Sequence, residues 1–274
     1  MENAAVERHY AQSNLVPRVL EALAAAGEGD VPLTVERLGA FDEFHFRGRE
    51  GTREAAALLD AQPSDHVLDV GAGIGGPARF LAHLTGCTVT GIDLTPDYVD
   101  AANDLTHRVG LDSRVAFRTA DALALPFANG AFDKAWSLHA SMNIADKAAL
   151  YREIARVLKP GGRFVFYDIL RGDGEAPHYP QPWASHAGIS SLATPAEQRT
   201  AIEQAGLRIE TWRDMGELAR AFFEEQAKST APPAPLPTIL VFLGREQAMT
   251  VGPLLSANFR ERRLTLAMAS ALKA

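Results

Sequence analysis

Apolar and polar positions change period along this chain, and each change marks a different kind of element. Leu15, Val16, Val19, Leu20 and Leu23 recur at helical spacing, with Ser13 and Asn14 placed to cap that helix and Pro17 in its first turn. A turn at Gly27-Glu28-Gly29-Asp30 follows, and a further helix is expected over Gly51 to Ala61. From residue 66 the pattern shifts to short apolar runs. His66 to Val70, Cys87 to Ile92, Arg114 to Thr119, Phe132 to Leu138 and Gly162 to Ile169 each fit a strand, with helical stretches between them. The clearest of those helices is Lys147 to Leu158, where Leu150, Ile154, Val157 and Leu158 share a face. Lys159-Pro160-Gly161-Gly162 stops it and turns the chain.

Beyond residue 190 the spacing predicts a helix from Thr194 to Ala205, with Thr194 as cap and Pro195 at the first helical position. A strand over Leu207 to Trp212 and a helix over Met215 to Lys228 come next. The prolines between Ala231 and Pro237 demand an extended linker, because proline lacks a donor and fixes φ. Leu264, Leu266 and Met268 alternate with smaller or polar residues, so Arg263 to Leu272 is expected to close the sheet, with a terminal helix as the competing reading. Alternating strands and helices predict a doubly wound, mostly parallel α/β sheet of seven strands. The expected organisation is a helical lid over 1–61, a ligand-binding core over 62–213, a helical lid insertion over 214–262 and a closing strand over 263–274.

Bulk composition narrows the function. The chain has 274 residues, 47% apolar and 22% charged, enough for one domain with a covering segment. The net charge of -7 argues against nucleic acid or an anionic membrane as the main partner. Cys87 is the single cysteine, so no internal disulfide forms, which fits a reducing cytoplasm. No signal peptide and no apolar run of membrane-spanning length is visible. A homodimer is compatible with all of this. The histidines are scattered singly, with no metal-ligand spacing, so no metal is expected. The Arg260, Arg262 and Arg263 run is most simply a solvated helix end.

The chemistry concentrates at Asp69-Val70-Gly71-Ala72-Gly73-Ile74-Gly75-Gly76-Pro77. Glycines at a strand-to-helix turn let a ligand approach the backbone. Gly71, Gly73 and Gly76 alone also match a dinucleotide fingerprint, a weak signal by itself. Three features separate the readings. Asp69 precedes the glycines, where a carboxylate suits an ammonium better than a pyrophosphate. Asp121-Ala122 follows the third strand, where a carboxylate can accept from an adenine amine. Leu158-Lys159-Pro160-Gly161-Gly162 precedes the fifth strand. An α/β fold that binds nothing would leave Asp69 and Asp93 as turn residues, but these carboxylates at the ends of successive strands, beside a glycine turn, argue otherwise.

Together these residues resemble the motif set of class I S-adenosylmethionine-dependent methyltransferases, over Asp65 to Ile169. The resemblance implies a Rossmann-like fold and S-adenosylmethionine as cofactor. It implies that Asp69, Gly71, Ala72, Gly73 and Gly76 hold the methionine part, that Asp93 holds the ribose diol, and that Leu94 packs on adenine. Asp121 and Ala122 would then read the adenine amine, and Ser137 and Leu138 close the floor. After the fourth strand the chain runs Ser137-Leu138-His139-Ala140, unlike the motif of amino-methylating DNA enzymes, and Cys87 lies away from the strand ends. A small-molecule acceptor is therefore expected. Gly75-Gly76-Pro77-Ala78-Arg79 resembles the glycine turn of sterol and tocopherol C-methyltransferases. Phe41-Asp42-Glu43-Phe44-His45 and Tyr179-Pro180-Gln181-Pro182-Trp183-Ala184 are similar to segments of glycine, sarcosine and dimethylglycine N-methyltransferases. An amine nitrogen is the expected acceptor, with carbon or oxygen as alternatives; a non-catalytic cofactor-binding subunit is a further one.

His139 is the candidate catalytic residue, since it follows the fourth strand at its carboxyl end. Two roles stand open for it: deprotonating or orienting the acceptor, or only lining the wall. Tyr10, Phe44, His45, Met142, Asn143, Trp183 and His186 are candidates for the acceptor side; packing is the alternative role for each.

Overall fold

The computed structural model describes residues 9–10, 14–27, 31–228 and 237–274. Seven strands form one sheet: β1 (His66–Val70), β2 (Thr88–Asp93), β3 (Val115–Thr119), β4 (Phe132–Leu138), β5 (Leu158–Arg171), β6 (Leu207–Asp214) and β7 (Leu264–Lys273). Their order is β3-β2-β1-β4-β5-β7-β6. The first five strands pair in parallel, while β7 runs antiparallel between β5 and β6. The strand order reverses between β1 and β4, so a crevice opens beyond their carboxyl ends.

The helices are α1 (Leu15–Ala25), α2 (Val35–Leu38), α3 (Gly48–Leu59), α4 (Gly76–Thr85), α5 (Pro96–Arg108), α6 (Lys147–Val157), α7 (Pro195–Gln204), α8 (Gly216–Lys228) and α9 (Pro237–Arg260). Strand side chains alternate between two cores, as the pleat requires. Val67, Val165, Tyr167, Ile169, Leu264, Leu266 and Met268 face the side that packs on α3 and α4. Leu68, Val70, Phe164, Phe166, Ala267 and Ala269 face α6 and α7. A third cluster joins Leu15, Val19 and Leu23 of α1 to Tyr98 and Leu105 of α5 and to Val241 and Phe242 of α9. The amino-terminal helix and the late helix thus pack as one layer beside the crevice.

The expected strands and the expected helices among the described residues are present, with shifted ends. α3 starts at Gly48 rather than Gly51, and α6 passes directly into β5, so Lys159-Pro160-Gly161-Gly162 lie within that strand's irregular first pairing with β4. Thr194 caps α7 in a reciprocal capping box with Glu197. Asn14 stands at the N-cap of α1, but its side chain makes no cap bond. Ser13, residues 28–30 of the first turn, and the proline-rich stretch up to residue 236 lie outside the described residues. Described structure resumes at Pro237 as helix, with a break at Gly244. The late arginines are not one solvated end: Arg260 ends α9, Arg262 pairs with Asp173, and Arg263 pairs with Glu175 and Glu261. Among the described residues no helix is long and apolar enough to cross a membrane, and no three His, Cys, Asp or Glu side chains converge as a metal set would.

Candidate active site

The crevice holds a cavity of about 1060 Å³. Its first wall is built at the carboxyl ends of β1, β2, β3 and β4. Gly71 adopts φ 76°, and a Cβ there would stand 2.4 Å from that of Ala140, so only glycine lets this turn pass under the loop after β4. The backbone N–H groups of Gly71 and Ala72 both donate to the Ile92 carbonyl at 2.9 Å, which ties the turn to the end of β2. Asp93 then accepts from Gly73 N at 2.9 Å and from Thr95 N at 2.9 Å. Asp121 accepts from Leu123 N at 2.9 Å and lines the same wall with Ala122, Leu94 and Leu138.

Two of these carboxylates are displaced from their ordinary acidity. Burial raises Asp93, against the backbone N–H bonds it receives. Burial also raises Asp69 to about 7, opposed by the nearby Trp136 indole N–H and helped by the negative charge of Asp93. Asp69 is 2% exposed, and its Oδ2 is buried with no hydrogen-bond partner. An unpaired buried carboxylate oxygen on a cavity wall is a site for a cation that brings its own N–H groups. The ammonium of S-adenosylmethionine is such a group, so the residues present fit that cofactor.

The second wall is assembled from distant segments. Tyr10 is half-buried and donates to Asn143 Oδ1 at 2.9 Å; desolvation, then Asp93 and Asp168, hold its phenol well above the usual range. Asn143 Nδ2 in turn donates to the carbonyls of Trp183 (2.8 Å) and Ile189 (3.2 Å). Asp168 anchors this loop by accepting from Ser141 N at 2.7 Å, and burial raises it to about 6. Phe44 stacks on Phe242 of α9, while Phe46 meets Phe222 and Phe223 of α8 and Phe259 of α9. Phe222, Phe223, Phe242 and Phe259 all line the cavity, as do Met142 and Trp183.

His139 sits between the two walls with φ 53°, its N–H donating to the Tyr167 carbonyl at 2.7 Å. Burial, and secondarily the neighbouring His45, hold its imidazole well below the ordinary histidine range, so the ring is neutral at pH 7. Its Nε2 is buried without a partner. The rings of His139 and His45 are 5.7 Å apart, and both line the cavity.

The structure therefore gathers Asp69, Gly71, Ala72, Gly73, Asp93, Leu94, Asp121, Ala122, Leu138, His139, Tyr10, Phe44, His45, Met142, Asn143 and Trp183 around one cavity. Three expected residues are placed elsewhere. His186 is exposed and spends its Nδ1 accepting from Gly188 N at 3.1 Å, capping the short turn Ala187–Ile189. Ser137 is buried within β4, behind the cavity lining. Gly76 does not line the cavity either: a Cβ there would fall 2.3 Å from the Asp42 carbonyl, so it is glycine for packing rather than for a ligand. Sequence reasoning also passed over the buried ion pair between Arg79 and Asp42 at 2.9 Å, and Glu43. The signal was present in both cases, as charged residues inside otherwise apolar runs.

Residues 68–166, which run from within β1 into β5, match the family model described as Methyltransferase domain. The chain carries a methyltransferase domain. The relatives it matches include small-molecule methyltransferases, the kind its motifs resemble. It is 35% identical to Methyltransferase GfsG of Streptomyces halstedii, over 63% of this chain and 63% of that one. It is 30% identical to 27-O-demethylrifamycin SV methyltransferase of Amycolatopsis mediterranei, over 65% of this chain and 66% of that one. The matches thus span a little under two thirds of these relatives' own lengths. Sarcosine/dimethylglycine N-, 24-methylenesterol C- and tocopherol O-methyltransferases match as well, the last named for oxygen where the glycine turn had suggested carbon. In fold, the chain is similar to geranyl diphosphate C-methyltransferase of Streptomyces coelicolor, with a TM-score of 0.70 at 21% identity, covering 100% of this chain and 98% of that one. The Rossmann-like fold is therefore shared with that enzyme.

Proposed function

We propose that this protein transfers a methyl group from S-adenosylmethionine to a hydroxyl on a large, mostly apolar small molecule. The observation that carries the reading is the division of one cavity into an acidic wall and an aromatic wall. At about 1060 Å³ it lies at the top of the ~300–1,000 Å³ range of small-molecule pockets, enough for a cofactor and a sizeable acceptor together. Phe46, Phe222, Phe223 and Phe259 offer the acceptor a desolvated surface. A free amino acid such as sarcosine would need a cation for its carboxylate. Among the described lining residues, Arg47 is paired with Glu50 and Glu54, Arg49 is paired with Glu43, and Arg260 is exposed. This favours an apolar acceptor over the amine first expected. The 27-O-demethylrifamycin SV relative, named for a large natural product, supports the same direction.

S-adenosylmethionine supplies a methyl group already activated on a sulfonium sulfur. The chain's task is to bind, align and keep water out. In this reading Asp69 receives the ammonium, Asp93 the ribose hydroxyls and Asp121 the adenine amine. Neutral His139 accepts the hydroxyl proton as the acceptor's oxygen becomes nucleophilic. Alignment alone can lower such a barrier by ~7–11 kcal/mol. Helices α1, α8 and α9 act as the lid that excludes water. The test is release of S-adenosylhomocysteine with a panel of polyketide, macrocyclic and steroidal alcohols against sarcosine and dimethylglycine. Turnover of the amino acids alone refutes the reading.

A further inference from the structure

His45 was expected to touch the acceptor, but its ring nitrogens are already engaged by the protein. Nε2 is 3.0 Å from Thr52 Oγ1, and Nδ1 is 3.3 Å from the Phe46 carbonyl. Thr52 has one hydroxyl proton and donates it to Glu43 Oε2 at 2.6 Å. Its oxygen is thus left to accept, and the Phe46 carbonyl can only accept, so both ring nitrogens of His45 face acceptors and the ring's orientation is fixed. Glu43 is fully buried, and its other oxygen is bound by Arg49. Burial alone would raise this carboxyl, but the hydrogen bonds and charges of His45, Arg49 and Thr52 hold it below the usual range. The array Arg49–Glu43–Thr52–His45 therefore ends on a ring that cannot turn to meet a ligand. What that ring does face is His139, with centroids 5.7 Å apart, and Tyr167 at 6.0 Å.

We propose that His45 is a positioning residue of the methyl-transfer site: Glu43 and Thr52 lock it against His139 so that the two rings work as a pair, His139 receiving the acceptor's proton and His45 setting how readily it does so. The inference rests on the reading of the cavity as a site of hydroxyl methylation. In that reaction the O–C bond forms as the sulfonium C–S bond breaks onto sulfur, and the hydroxyl proton passes to His139 and then to solvent. When N–H groups meet both of those acceptors, His45 carries a positive charge, and that charge opposes a proton on His139, because like charges this close disfavour each other. The groups that face the pair are few. They are Glu43, with Arg49 behind it and Thr52 of α3 on the His45 side, and Tyr167 of β5, whose hydroxyl donates to the Phe46 carbonyl at 2.9 Å. His139 is thereby kept free to take up a proton during turnover and ready to lose it afterwards.

The experiment uses the full chain with S-adenosylhomocysteine bound, in wild type, His45→Phe and the milder, nearly isosteric Thr52→Val. The His139 ring signal, assigned by its loss in His139→Asn, is titrated by NMR, and the pH profile of kcat is measured with an alcohol that turns over. In His45→Phe the His139 titration and the acid limb of kcat should both move upward by ~1 pH unit, with a smaller shift the same way in Thr52→Val. A merely structural His45 would lower stability and leave both midpoints in place. An unmoved His139 titration in folded His45→Phe, with His139→Asn inactive, overturns the pair alone. Wild-type turnover in His139→Asn overturns the base reading, and the pair with it.

Discussion

Replacing Asp69 with asparagine should make the empty protein more stable and the cofactor site weaker. Asp69 is buried, its Oδ2 has no partner, and burial holds its carboxyl at about 7 against an ordinary aspartate value of 3.8. Each tenfold change in proton affinity is ~1.4 kcal/mol, so keeping the group ionised in the empty site costs on the order of 4 kcal/mol. The sign follows from linkage. A carboxyl whose folded value lies above its unfolded one contributes most when protonated, and that contribution is lost as pH rises from about 4 through about 7. At pH 8, Asp69→Asn removes the penalty while keeping the side chain's shape. Recovery of even half of it raises Tm by ~4–8 °C for a chain of this size. An ammonium bound at Oδ2 needs the ionised form, so wild-type affinity for S-adenosylhomocysteine should rise ~10-fold from pH 6 to pH 8, as the competent fraction rises. The asparagine variant loses a charge-assisted bond of ~1.5–3 kcal/mol, which is ~10- to 150-fold in Kd, and loses most of that pH dependence. Titration calorimetry at the two pH values, with thermal melts of the empty protein, reads all three quantities. A variant that binds like wild type, or wild-type binding that is flat between pH 6 and 8, would refute the assignment of Asp69 to the ammonium.

Further expectations follow from the same geometry. Asp93→Ala should weaken S-adenosylhomocysteine binding by ~100-fold or more, since two ribose bonds to a carboxylate are lost; near wild-type calorimetry with an intact fold would remove Asp93 from the cofactor site. His139→Ala should lower kcat by ~10²–10⁴-fold with little change in cofactor affinity. Because burial holds this imidazole well below its ordinary range, kcat should stay level on lowering the pH to about 6.5 and fall only below that, and an acid limb at or above pH 7 would contradict it. Hydrogen exchange in α1, α8 and α9 should slow when S-adenosylhomocysteine and an acceptor are both bound, and unchanged exchange in all three would refute the lid.

The two walls of the cavity differ in how far the sequence alone disclosed them. The acidic wall was legible because Asp69, Gly71, Gly73, Asp93 and Asp121 lie within one stretch and occupy ends of consecutive strands. A parallel sheet converts that linear spacing into proximity without further information. The acceptor wall depends on contacts between Tyr10 and Asn143, Phe44 and Phe242, and Phe46 and Phe222. Nothing local to any one of these residues specifies its partner, and the aromatic faces of α8 and α9 look like ordinary core-facing stripes. His139 and His186 illustrate the same limit. Both are single histidines on segments expected near the site, but only His139 follows a central strand at the crevice, whereas His186 satisfies its own turn.

The Arg79 network shows why the two walls are nonetheless not independent. Its guanidinium is fully buried and donates to Asp42 Oδ2 at 2.9 Å, to the Ile74 carbonyl at 2.7 Å, to the Ala102 carbonyl at 3.1 Å and to Thr106 Oγ1 at 3.2 Å. Ile74 belongs to the glycine turn, and Asp42 begins the segment that carries Glu43, Phe44, His45 and Phe46. Burying such a pair adds little net stability, because desolvation of both charges offsets their attraction. An apolar pair of similar volume would pack α4 against this segment equally well, but it would not fix which backbone carbonyl meets which side chain. The directional bonds of Arg79, and the close approach of Asp42 that only a glycine at position 76 permits, set the register between the turn and the aromatic wall. In-line methyl transfer depends on that register, since a displacement of ~1 Å between two bound reactants can cost ~100-fold in rate.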